Sequence, residues 1–244
     1  MLPGVKRNLP HSDLDAVSVP GSYTGLAEDL LQGILRTAGV IALTPKAGSA
    51  LWESVKPMLD RFSSDLATDA TVWFLLPDGS YFSTETGGIT DQNLKVYTFF
   101  PKLMAGKDVS GDLVISRSTG HRSVIVASPV MFKEKVFAAV GVSVSVCFLS
   151  ALVESHTKLP DNSYFYAPDT DTGIVLLRNA ERIFKTVSDV GNESLGNAFK
   201  AVLKKDESVQ LHAERQEDDF DFPEIHSPWM LFLHRTGKEM IQRK

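Results

Sequence analysis

Ser155 and Lys158 stand three residues apart in the phrase Ser155-His156-Thr157-Lys158. At that spacing on a helix, a lysine one turn away could influence the hydroxyl proton and make the serine a nucleophile. Arg235-Thr236-Gly237 faintly echoes the later triplet of serine–lysine acyl-transfer enzymes. That chemistry also needs a Ser-Asp-Asn loop well downstream. Here only Asp161-Asn162-Ser163 follows, in the wrong order and three residues on, so coincidence is the better account of the phrase. The six histidines, His11, His121, His156, His212, His226 and His234, include no His-x-x-x-His pair, the spacing that sets two imidazoles on one helical face for a metal. His212 and His234 fall in expected strands and could approach each other, but satisfied or exposed imidazoles are the commoner outcome. The acidic run Glu214–Asp221 has carboxylates enough for calcium but lacks the glycine and spacing of a calcium loop, and reads as a solvated hairpin. No nucleophile elbow, phosphate-cradling glycine loop or dinucleotide fingerprint is present.

Composition narrows the classes further. The chain has 244 residues, 25 Lys+Arg against 30 Asp+Glu, a net charge of −5 and 43% hydrophobic residues. It has apolar material for one sizeable core or two small ones, and too ordinary a charge fraction for disorder. No Lys/Arg run exceeds two, so the concentrated basic surface that neutralises phosphates is missing and nucleic acid is not an expected partner. The single cysteine, Cys147, excludes an internal disulfide and any multi-cysteine metal site. Set in the apolar run Val144–Leu149, it reads as a small buried hydrophobe.

Two amphipathic helices are expected near the start, about Tyr23–Ala38 and, after the Thr44-Pro45 break, about Ser49–Leu66. At Thr71 the period changes to two. Thr71–Leu76, Pro77-Asp78-Gly79 and Ser80–Thr84 read as strand, tight turn, strand, with Gly79 supplying the positive φ. A polar loop and a short helix around Asp91–Ala105 should follow, then strands at Gly111–Ser116, Arg122–Ser128 and Val136–Val146, with a connecting helix at Ser150–Lys158. The opening phrase then returns, with Trp73–Asp78 aligning on Tyr164–Asp169, a weak but directional repeat. Further strands are expected at Gly173–Leu177, Ser208–Ala213, Phe220–Pro223 and Trp229–His234, with a helix near Ser194–Lys204. The expected fold class is α+β: N-terminal helices (1–68), a first antiparallel unit with flanking helices (69–148), then a connecting helix and a second, smaller unit (149–244).

Read together, Pro77-Asp78-Gly79, Tyr97-Thr98-Phe99-Phe100, Ala105-Gly106-Lys107, Ser116–Arg122, Ser128-Pro129 and Ala139–Ser145 resemble the Cache domain, the extracytoplasmic PAS-like sensor of chemoreceptors and sensor kinases. The order and spacing over about 75 residues carry the resemblance, and the repeat suggests the double-Cache arrangement. It implies a non-enzymatic module that holds a small molecule in the first unit, between the sheet and the loop-helix segment covering it. The amino-acid-binding branch grips its ligand's carboxylate through an Arg-x-Trp-Tyr phrase and its ammonium through acids. This sequence departs from that pattern: Tyr97 stands where the arginine would be, and Ser116 and Ser143 stand where carboxylates would be.

The candidate ligand-binding residues are therefore Trp73, Tyr97, Phe99, Phe100, Ser116, Arg117, Ser118 and Ser143. They suit a small carboxylate or a partly apolar compound, with Arg117 as the cation. Trp73 and Phe74 alternate across one strand, so only one of them faces this pocket; Trp73 is the choice. No cofactor or metal is expected. A homodimer would form through the N-terminal helices. An excised ectodomain would be extracytoplasmic, with membrane segments outside this chain; taken as complete, the chain has no apolar signal core or spanning segment and would be cytoplasmic. The alternative is a PAS-like scaffold whose aromatics fill their own pocket and which acts through protein contacts.

Overall fold

The computed structural model describes residues 18–66, 68–116, 120–156, 163–169, 173–177, 218–221 and 232–236. The calls at Ser194–Lys204 and Ser208–Ala213, and the residues Lys158, His212, Arg117 and Ser118, lie outside them. Helix α1 spans Ser18–Ala42, longer than its apolar stripe suggested, and buries Ala27, Leu31, Ile34, Ala38 and Ile41 on one face. It stops where Thr44 caps a four-residue helix α2 (Pro45–Gly48): the Thr44 Oγ1 accepts from the Ala47 amide at 3.2 Å, and Pro45 occupies the first turn, where no amide is needed. Helix α3 (Trp52–Asp65) buries Trp52, Val55, Leu59 and Phe62. No helix among the described residues is long and apolar enough to cross a membrane.

Six strands form an antiparallel sheet in the order β3-β2-β1-β6-β5-β4. Their ranges are β1 Ala70–Leu75, β2 Ser80–Ser83, β3 Gly88–Asn93, β4 Val109–Ile115, β5 Arg122–Phe132 and β6 Lys135–Ser145. The β1–β2 turn is built as its residues predict: Gly79 has φ +87°, and the Asp78 Oδ1 accepts from both the amide and the hydroxyl of Ser80, at 3.0 and 2.6 Å. The β5–β6 hairpin closes over Lys133 and Glu134, whose φ values of 46° and 62° are those a two-residue hairpin turn needs.

Two elements correct the sequence reading. Gly88–Asn93, taken as polar loop, is the edge strand β3; it pairs through its backbone with β2, and its one large apolar side chain, Ile89, is exposed. An edge strand with one solvated side can be polar throughout and so carries no alternation signal. The apolar run at the end of β6 turns into helix α5 (Val146–His156) four residues before the expected start, with the Ser145 Oγ accepting from the Phe148 amide at 3.3 Å as a cap. That change of period turns Cys147 outward: it is exposed, while Val146 and Leu149 are buried.

The sheet divides two apolar clusters. On one face Val72, Phe74, Val124, Val126, Val140 and Val142 pack against α1 and α3. On the other, Trp73, Leu75, Ile125, Ala127 and Ala139 meet Leu94, Phe99 and Leu103, supplied by a 3₁₀ turn (Leu94–Val96) and helix α4 (Phe99–Met104). A β-bulge after Ser110, where Gly111 has φ +100°, changes which residues of β4 face each side: Val109 belongs to the second cluster and Leu113 to the first. A second antiparallel sheet has the order β8-β7-β10-β9, from β7 Ser163–Asp169, β8 Gly173–Leu177, β9 Asp218–Asp221 and β10 Phe232–Thr236. The architecture is α+β, as expected.

Candidate functional site

On the sheet face away from α1 and α3 lies a cavity of about 230 Å³. Its floor is set by strand register. Trp73 is paired with Gly141, and a Cβ on Gly141 would overlap the indole ring, so the ring lies flat over the β6 backbone. From there the Trp73 Nε1 donates to the Ser143 Oγ at 3.0 Å. Trp73 faces the cavity and Phe74 the helices, as alternation on the strand requires.

The opposite wall is the 3₁₀ turn after β3 together with helix α4. Tyr97 and Phe99 stack with ring centroids 5.8 Å apart and 12° between planes, and Phe99 lies 6.1 Å from Trp73. Two bonds tie this segment across to β4. The Tyr97 hydroxyl donates to the Ile115 carbonyl at 3.2 Å, and the Lys102 ammonium pairs with Asp112 at 2.6 Å.

Trp73, Tyr97, Phe99, Ser116 and Ser143 thus all line the cavity. Phe100 does not; it is half-buried and packs against the same apolar cluster. Arg117 and Ser118 lie outside the described residues. The sequence reading did not place Tyr81 and Ser83 of β2, Glu85 of the following turn, Asp91 of β3, His121 just before β5, or Ser123 in β5, all of which line the cavity. The β2 pair could have been found from the hairpin, since Ser83 is the partner of Trp73 and Tyr81 of Leu75. Burial pushes the Tyr81 phenol above its ordinary pKa, against a hydrogen bond from Thr90 that lowers it, with Tyr97, Asp91 and Glu85 adding to the rise.

Among the described residues, Ser155 is engaged by its own helix. Its hydroxyl donates to the Leu152 carbonyl at 2.8 Å. The His156 Nδ1 is 3.0 Å from that hydroxyl but also 2.9 Å from the same carbonyl. Both side chains are thus turned back onto the last turn of α5, within hydrogen-bond distance of the Leu152 carbonyl. Both residues are exposed at the end of α5. Among the described residues no group of three or more His, Cys, Asp or Glu side chains is placed to hold a metal.

No protein-family model matches the sequence, and no curated protein does. Solved structures do. The sensory domain of the Campylobacter jejuni chemoreceptor Tlp3 with isoleucine bound superposes with a TM-score of 0.67 at 13% identity, over 91% of this chain and 91% of that one. Other structures of the Tlp3 ligand-binding domain hold L-valine and L-norvaline. The sensor domain of the V. cholerae histidine kinase DctB matches at TM-score 0.62 and 12% identity, over 93% of this chain and 99% of that one. The extracellular domain of the putative histidine kinase mmHK1S-Z3 gives 0.64 and 15%, with 93% of each chain covered. The chain has the fold of the Cache-type ligand-binding sensor domains of chemoreceptors and histidine kinases.

Proposed function

We propose that this chain is the ligand-sensing module of a signal-transduction receptor, non-enzymatic in itself, and that it binds a small organic molecule in the cavity over Trp73. In this reading residues 69–148 form the ligand-binding unit, 149–244 a second, smaller unit, and 1–68 the lead-in helices through which a homodimer would form. The module would work outside the cytoplasm, as the ectodomain of a membrane receptor.

The observation that carries the reading is the two-sided use of the sheet. The cavity with its aromatic and hydroxyl lining sits on one face, and α1 and α3 are packed on the other. Trp73 and its neighbours Val72 and Phe74 share one strand but serve opposite faces, so a ligand that prefers one setting of β1 biases the packing of the helices behind it. Trp73 and Phe99 are only 2% and 1% exposed, which favours the second reading, a scaffold whose aromatics fill their own pocket.

A thermal-shift screen against small carboxylates, amines, amino acids and purines separates the two. A ligand at a hundredfold excess over its Kd contributes about 2.7 kcal/mol, a rise of roughly 5–10 °C for a chain of this size. The expected result is such a rise, lost in Tyr97→Ala. If no compound moves the melting point, the scaffold reading replaces this one.

A further inference from the structure

We infer that the cavity selects a small organic cation, an amine or methylated ammonium without a carboxylate, over a zwitterionic amino acid. The inference rests on the cavity being the ligand site and adds the ligand's charge. Two carboxylates line the cavity, Glu85 from the turn after β2 and Asp91 from β3. The Thr71 hydroxyl donates to Glu85 at 3.1 Å, and the Gln92 side-chain amide donates to Asp91 at 3.3 Å. Neither carboxylate is in an ion pair among the described residues. No lysine or arginine is among the described lining residues, where the one basic side chain is His121.

Four aromatic rings, those of Trp73, Tyr81, Tyr97 and Phe99, share the remaining wall with hydroxyl and aliphatic side chains. Carboxylates and ring faces attract an ammonium by charge-assisted hydrogen bonds and by the ring quadrupole. A ligand carboxylate in the same space would meet two like charges and hydroxyls, and among the described lining residues no planar fork that grips it. The raised pKa of the Tyr81 phenol, to which Asp91 and Glu85 contribute, fits the same negative field. At about 230 Å³ the space is smaller than the roughly 300–1,000 Å³ of sites for drug-sized ligands, so the cation is small.

Titration calorimetry with four matched probes tests this: isopentylamine, L-leucine, isovalerate and isopentanol, which share one branched apolar body and differ in charge. Isopentylamine should bind about tenfold or more tightly than L-leucine, and isovalerate should bind weakest. Glu85→Gln and Asp91→Asn, both substitutions of exposed residues, should each weaken the amine about tenfold and leave isopentanol unchanged. Equal or tighter binding of L-leucine or isovalerate overturns the inference, as does unchanged amine affinity in both variants. If neutral or anionic compounds bind and are lost in Tyr97→Ala, the site stands and its cation preference falls. If nothing in the series or the wider screen binds, both fall.

Discussion

The indole of Trp73 reaches across β1 and β6 to Ser143, its Nε1 donating to the hydroxyl oxygen at 3.0 Å. A buried indole needs an acceptor, and Ser143 is two residues along from Gly141, the partner of Trp73, so the strand pleat brings it to the same face. One lone pair of Ser143 is thereby committed, leaving its own O–H and a second lone pair to face the cavity. The hydroxyl positions the aromatic floor and also presents a donor to whatever lies on it.

Gly141 is the part of this arrangement least able to change. A Cβ at this position would overlap the six-membered ring of Trp73, so Gly141→Ala forces the indole off its acceptor and should cost about 1–3 kcal/mol by overpacking. Gly33 is the control: it lies within α1, exposed, with nothing within 4 Å of where a Cβ would stand. There alanine should stabilise by about 0.8–1 kcal/mol through helix propensity. Urea unfolding of the two variants checks both signs, and a neutral Gly141→Ala would remove the floor from the account.

Asp78 makes stability depend on pH at the β1–β2 turn. The Ser80 hydroxyl, then the Ser80 amide, donate to its carboxylate and hold its pKa below the ordinary 3.8, with a smaller pull from Lys95. A carboxylate depressed in the folded state stabilises it fully above the unfolded value and loses that contribution as pH falls through the folded one. The parent should therefore lose its advantage over Asp78→Asn between about pH 5 and pH 2. The difference is small, because the group is exposed. Melting temperatures of the two proteins that run parallel through this range would count against it.

Cys147 should react in the folded protein. It is the only cysteine and is exposed in the first turn of α5, so Ellman's reagent should titrate one thiol at once without denaturant. A thiol that appears only on unfolding would return Cys147 to the buried role its neighbours suggested.

Much of the fold was legible because it is local. The stripes of α1 and α3, the Asp78-Gly79 turn and the alternation that turns Trp73 one way and Phe74 the other are relations among residues a few positions apart, and short-range sterics and periodicity decide them. Tyr97, Phe99, Ser116 and Ser143 were named instead through the resemblance to Cache domains, by their place in that family's ordered set of motifs. What the chain order could not show is which strands lie side by side and in what register. β3 holds its place by backbone pairing with β2 and by the Asn93 side-chain amide on the Asp78 carbonyl, and Cys147 changed from inside to outside when a strand became a helix at Val146. Gly111 switches the facing of β4 through a bulge. Glu85, Asp91 and His121 reach one cavity from three separate segments. Each is a contact between distant parts of the chain, made only when packing chooses a register. So the amino-acid order specified the elements and their apolar faces, while the charge around the cavity was set by tertiary pairing.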